Sequence, residues 1–131
     1  MVETWLDQLY RCVSGHTILD EEKAHVLFHA ARRVAELDGN VAELGVFHGG
    51  MCWALSKLLP NKTIYGFDTF EGLPDPERPN LFNVNIEDVR EYLKEEKNVI
   101  LHKGLIQDTA HRVRDEQFSL VHLDGDLYES Q

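Results

Sequence analysis

The groups in this sequence with chemistry to offer are a carboxylate two residues ahead of a glycine turn, a second at the end of an apolar run, and an acidic pair near the last residue. The first lies in Val41-Ala42-Glu43-Leu44-Gly45-Val46-Phe47-His48-Gly49-Gly50. Gly45 can turn the chain sharply at a strand end, and Gly49 and Gly50 can let a nucleotide-like group rest against a helix N-terminus. Phe47 stands where the dinucleotide pattern G-x-G-x-x-G has its second glycine, so a pyrophosphate fits poorly and an NAD-dependent oxidoreductase is disfavoured. A ligand without phosphates, such as S-adenosylmethionine (SAM), asks less of that turn. The Glu43 carboxylate can face its cationic ammonium directly or through water. An ordinary strand-to-helix turn explains the glycines equally well.

The second acid, Asp68, ends Ile64-Tyr65-Gly66-Phe67-Asp68, roughly 20 residues after the glycine turn, the spacing of a ribose-binding acid. A carboxylate there can accept both ribose hydroxyls. The pair is Asp124 and Asp126 in His122-Leu123-Asp124-Gly125-Asp126-Leu127-Tyr128. Residues two apart on a strand share a side, so both can point into the crevice beyond its carboxyl end. Paired carboxylates suit a hard cation such as Mg²⁺, or a metal ligand beside a general base for an alcohol. A solvated acidic turn is the plainer alternative.

These acids must be held by strands. From Val41 onward, short β-type runs alternate with helical segments: Val41 to Val46, Thr63 to Phe67, Asn98 to His102 and Phe118 to Leu123. Helices are expected at about Gly50 to Leu59, Asn85 to Glu95 and Asp108 to Arg114, long enough for right-handed crossovers in a parallel sheet. Two helices come first, from about Glu3 to Val13 and, capped by Asp20, to about Leu37. The proline-bearing stretch between Thr69 and Val84 reads as a long functional loop. One α/β domain, 1–131, is expected, with residues 1–39 as N-terminal helices and 40–131 as a βαβαβαβ cofactor-binding core.

Thirteen Lys and Arg against 23 Asp and Glu leave a charge of −10, which repels nucleic acid and anionic membranes. A small-molecule partner fits better. Cys12 and Cys52 fall on apolar helix faces without a disulfide or zinc spacing, pointing to a reduced, cytoplasmic setting. The stretch from Met1 to Trp5 does not read as a basic-then-apolar leader and no apolar run approaches membrane length, so neither secretion nor membrane insertion is expected. His25 and His29, spaced i,i+4, could in principle chelate zinc, but no third ligand is apparent and solvated helix residues are the better reading. His122 is expected beneath the sheet.

Taken in order, Glu43 to Gly50, the string Gly66-Phe67-Asp68-Thr69-Phe70-Glu71-Gly72-Leu73-Pro74, Lys103 to Thr109, and His122 to Ser130 resemble the signatures of macrocin O-methyltransferase (TylF-like) enzymes. The resemblance runs from about Glu21 to the last residue. It implies the Rossmann-like fold of SAM-dependent methyltransferases, with SAM as methyl donor to a hydroxyl of a sugar or other small polar molecule, and Mg²⁺ assistance. Glu43, Gly45 and Gly49 would line the methionine end of SAM. Asp68, Thr69 and Phe70 would hold ribose and adenine, with Asp108 on the adenine side. Asp124 would match a metal ligand, Asp126 the base that takes the hydroxyl proton, and Tyr128 a supporting residue.

The family continues beyond the last string to a further acidic pair, so the fold is expected to be incomplete at its C-terminus. The strand Phe118 to Leu123 would then have an open edge, the mark of a fragment or of a homo-oligomer paired through that edge. The rival class is a non-catalytic nucleoside-binding or assembly module, distinguished by the absence of methyl transfer.

Overall fold

Short, largely apolar runs form four strands, β1 (Asn40–Leu44), β2 (Ile64–Asp68), β3 (Val99–Lys103) and β4 (Phe118–Leu123). The computed structural model describes residues 4–70 and 84–123. All neighbouring strands pair in parallel, in the order β3-β2-β1-β4. Every carboxyl end therefore lies on one edge of the sheet. The chain reverses direction across the sheet between β1 and β4, which is where ligands bind in open α/β folds.

Helices α1 (Trp5–Val13) and α2 (Glu21–Val34) precede the sheet, and α3 (Gly50–Leu58), α4 (Ile86–Tyr92) and α5 (Ile106–Thr109) follow strands. Thr4 and Asp7 form a reciprocal capping box on α1, and the Asp20 carboxylate accepts from Lys23 N at 2.9 Å to cap α2. Ala24, Leu27, Phe28 and Ala31 form the buried stripe of α2. That helix stops at Val34 rather than near Leu37, whose side chain is 57% exposed and has no core partner to extend the stripe. Instead the buried Lys62 ammonium donates to the carbonyls of Leu37 and Gly39, anchoring the entry to β1. The expected helix from Asp108 is the short α5 followed by a 3₁₀ turn, Ala110–Val113.

The sheet separates two apolar clusters. On one face Val41 and Ile64 pack with Val13, Phe28, Cys52 and Leu55 beneath α1 to α3, and Val89 and Leu93 join them. On the other, Ala42, Tyr65 and Phe67 meet Val113 alone among buried residues. This second cover is thin, and Ile100, Val121 and Leu123 are exposed. Cys52 is buried, whereas Cys12, read from sequence as part of an apolar face, is exposed. Among the described residues, no helix is long and apolar enough to cross a membrane.

Candidate functional site

β1 and β2 end side by side, and a single carboxylate ties their outgoing turns together. Asp68 Oδ2 accepts from the backbone N–H of Val46 at 2.8 Å and of Phe47 at 2.9 Å, and Oδ1 accepts from Phe70 N–H at 3.0 Å. The residues it grips are costly ones. Phe47 (φ 53°) and Phe70 (φ 58°) both adopt left-handed backbone, which costs an L-residue roughly 1–2 kcal/mol. Charge-assisted bonds of about 1.5–3 kcal/mol each are enough to hold them there. Gly45 (φ 101°) makes the sharp bend expected at the end of β1, and its N–H donates to Phe67 O at 2.8 Å. Gly104 N–H donates to Asp68 O at 2.9 Å, bringing the end of β3 to the same rim.

A carboxylate offers about four acceptor positions. Three backbone donors occupy the half-buried Asp68, which leaves Oδ1 with one position for a ligand hydroxyl.

Glu43 lies on β1 two residues before Gly45, completely buried. Its Oε1 accepts from the Cys52 thiol of α3 at 3.4 Å, and its Oε2 lies 3.4 Å from His122 Nδ1 on β4. Glu43 and His122 are register partners, so their side chains leave the same face of the sheet at the β1–β4 switch. Burial pushes the Glu43 carboxyl above its ordinary range, with His122 pulling the other way. Burial, together with the charge of Glu43, raises the Cys52 thiol as well. The acid expected to face a ligand ammonium directly or through water is thus in contact with Cys52 and His122.

The glycine turn also packs against protein. A side chain at Gly50 would come within 2.8 Å of the His16 carbonyl oxygen, and one at Gly49 would press on Val89, Leu93 and Tyr92. The absent side chains let the 3₁₀ turn Ser14–His16 and α4 close on the start of α3, with the His16 ring stacked on Tyr92 at 3.8 Å. Thr69 is half-buried beside Asp68, Phe70 is buried, and Asp108 is exposed in the first turn of α5 beyond β3. Asp124, Asp126 and Tyr128 lie outside the described residues, as does most of the Thr69 to Val84 loop. His122, expected beneath the sheet, has its side chain only 17% exposed. The sequence reading gave neither it nor Cys52 a role at the site. A signal was available in the position of His122, two residues before the acidic pair just as Glu43 is two before Gly45.

The family model described as Macrocin-O-methyltransferase (TylF) matches residues 10–131. The crystal structure of CalS11, calicheamicin methyltransferase, is similar at 19% identity and a TM-score of 0.62, covering 99% of this chain and 71% of that one. The apo structure of CalS11, TDP-rhamnose 3'-O-methyltransferase, an enzyme in calicheamicin biosynthesis, is similar at 20% identity and a TM-score of 0.55, covering 95% and 67%. At such identities the likeness is one of fold. No curated protein sequence matches the chain.

Proposed function

The chain belongs to the macrocin O-methyltransferase (TylF) family, and on that premise we propose that it serves SAM-dependent methylation of a hydroxyl on a sugar or other small polar molecule. The observation that carries this is the Asp68 clamp, a carboxylate fixed by three backbone donors at the carboxyl ends of two adjacent parallel strands with one acceptor position left over. A position of that kind suits a ribose hydroxyl. Glu43, Gly45 and Gly49 would line the methionine end. Thr69, Phe70 and Asp108 would flank the nucleoside. The similar structure named for a TDP-rhamnose methyltransferase supports a sugar as acceptor.

SAM, when bound, supplies an electrophilic methyl group. The chain's own work is to orient the acceptor and remove its proton, a role given to Asp126, where proximity and general base catalysis supply most of the rate. Asp124 offers the hard oxygen donor that Mg²⁺ takes.

Calorimetry with SAM, followed by turnover with a panel of free and nucleotide-linked sugars, tests this reading. Asp126→Asn should bind SAM as the parent does and lose transfer at least a hundredfold. SAM binding without transfer to any acceptor would favour the non-catalytic module, and failure to bind SAM would end both readings.

A further inference from the structure

The i,i+4 spacing of His25 and His29 reads from sequence as two solvated helix residues, but the fold gives His25 acidic neighbours. His29 turns toward Trp5, with ring centroids 6.2 Å apart. His25 Nε2 instead lies 3.6 Å from Asp7 Oδ1 on α1 and 3.6 Å from Glu21 Oε1, one turn earlier on α2. One donor atom from each of the three residues falls within 4.8 Å of the others.

Two further observations bear on what belongs between them. His25 Nε2 is shut off from solvent and has no hydrogen-bond partner, although it points at two carboxylates. A separation of 3.6 Å is too long for a hydrogen bond. It is close to the edge of a tetrahedral site with bonds of about 2.0–2.1 Å, whose donor atoms lie roughly 3.3–3.4 Å apart. The ligands are also oriented in advance. Asp7 Oδ2 is occupied by Thr4 N–H and Thr4 Oγ1, each at 3.0 Å, so the capping box leaves Oδ1 to face His25. Glu21 and His25 share one face of a well-formed helix.

We propose that Asp7, Glu21 and His25 form a site for a borderline divalent cation of the zinc type, joining α1 to α2. One imidazole nitrogen with two carboxylate oxygens is a donor set that Zn²⁺ accepts and that Mg²⁺ leaves for all-oxygen sites. Two carboxylates neutralise the ion, and the half-exposed Glu21 side leaves a fourth position to water. The alternative occupant of the gap is a proton, with His25 as an imidazolium between two acids.

The site does not depend on methyl transfer, so it is tested without substrate. Zn²⁺ alone is titrated at neutral pH into the full chain carrying Asp124→Asn and Asp126→Asn, which removes the acidic pair as a competing binder. One equivalent should bind and raise the thermal midpoint, with Mg²⁺ in excess failing to displace it. His25→Asn and Glu21→Gln should each weaken binding at least tenfold and abolish the thermal shift, while His29→Asn changes neither. Glu21 is exposed, so its variant remains informative if His25→Asn folds poorly. No zinc uptake, equal binding by all variants, or loss through His29→Asn would overturn the site. Histidine NMR showing His25 protonated and unmoved by zinc would assign the gap to the ion pair.

Discussion

Among individual residues, Asp68 and Glu43 sit differently, Asp68 half-buried and gripping two turns at the rim, Glu43 fully buried against Cys52 and His122. Asp68→Asn keeps the shape but swaps one acceptor oxygen for a donor amide. Whichever way the amide lies, at least one of the N–H groups of Val46, Phe47 and Phe70 then faces another donor. The expected loss is about 2–3 kcal/mol in denaturant unfolding, accompanied by weaker SAM binding in calorimetry. Unchanged stability would mean that the left-handed phenylalanines are held by something else. Glu43 acts in the opposite sense. Burial raises its folded-state pKa, so the native state binds more protons than the unfolded state between the ordinary glutamate range and the raised value. Stability contributed by the neutral carboxyl is complete below that window and is lost as pH rises through it. Glu43→Gln removes this titration, so across the window the thermal midpoint of the parent should fall relative to the variant. Parallel midpoint-versus-pH curves would show that Glu43 does not titrate differently on folding. Nothing local in Val41 to Gly50 reveals these surroundings, because the groups enclosing Glu43 include a histidine 79 positions away, brought close by the pairing of β1 with β4.

Among elements, the strands were the most legible part of the sequence. Phe118 to Leu123 is β4 to the residue, since a polar Glu116-Gln117 precedes an unbroken β-favouring run. The other strands are offset from expectation by a residue or two, where Asn40, Asp68 and Lys103 pair through the backbone whatever their polarity. Helix ends were less legible, because what stops α2 is the lack of a partner for Leu37 and the reach of Lys62 from a distant turn. The glycines were legible as glycines but not for their neighbours. Gly50 is small because the His16 carbonyl passes over it, joining the N-terminal helices to the start of α3. Gly50→Ala would place a methyl group 2.8 Å from that oxygen, against backbone that cannot rotate away. A cost of about 1–3 kcal/mol follows from such overpacking. Chemical denaturation measures it, and a neutral result would show that the 3₁₀ turn moves freely over α3.

For the whole molecule, the architecture leaves one problem unsolved within the described residues. A parallel sheet normally has both faces covered, because its strands are apolar on both. Among the described residues one face lies under α1 to α3, while the other carries α5 and the 3₁₀ turn after it. Val121 and Leu123 are register partners of Ala42 and Leu44, so they emerge on that thinly covered face, 53% and 65% exposed. Ile100, 44% exposed, emerges on the same face from β3, opposite Tyr65. β4 also has β1 as its only partner among the described residues, so exposed apolar side chains coincide with unpaired backbone donors and acceptors. Both features favour association. The net charge of −10 opposes it, and salt screens that repulsion within about 8–10 Å without weakening apolar contact. The 131-residue chain should therefore gain mass with concentration in light scattering, and more so at high salt. Val121→Lys with Leu123→Lys should return it to a monomer while leaving the far-UV spectrum intact. A parent that stays monomeric at high concentration and high salt would mean that this face is covered by the chain itself.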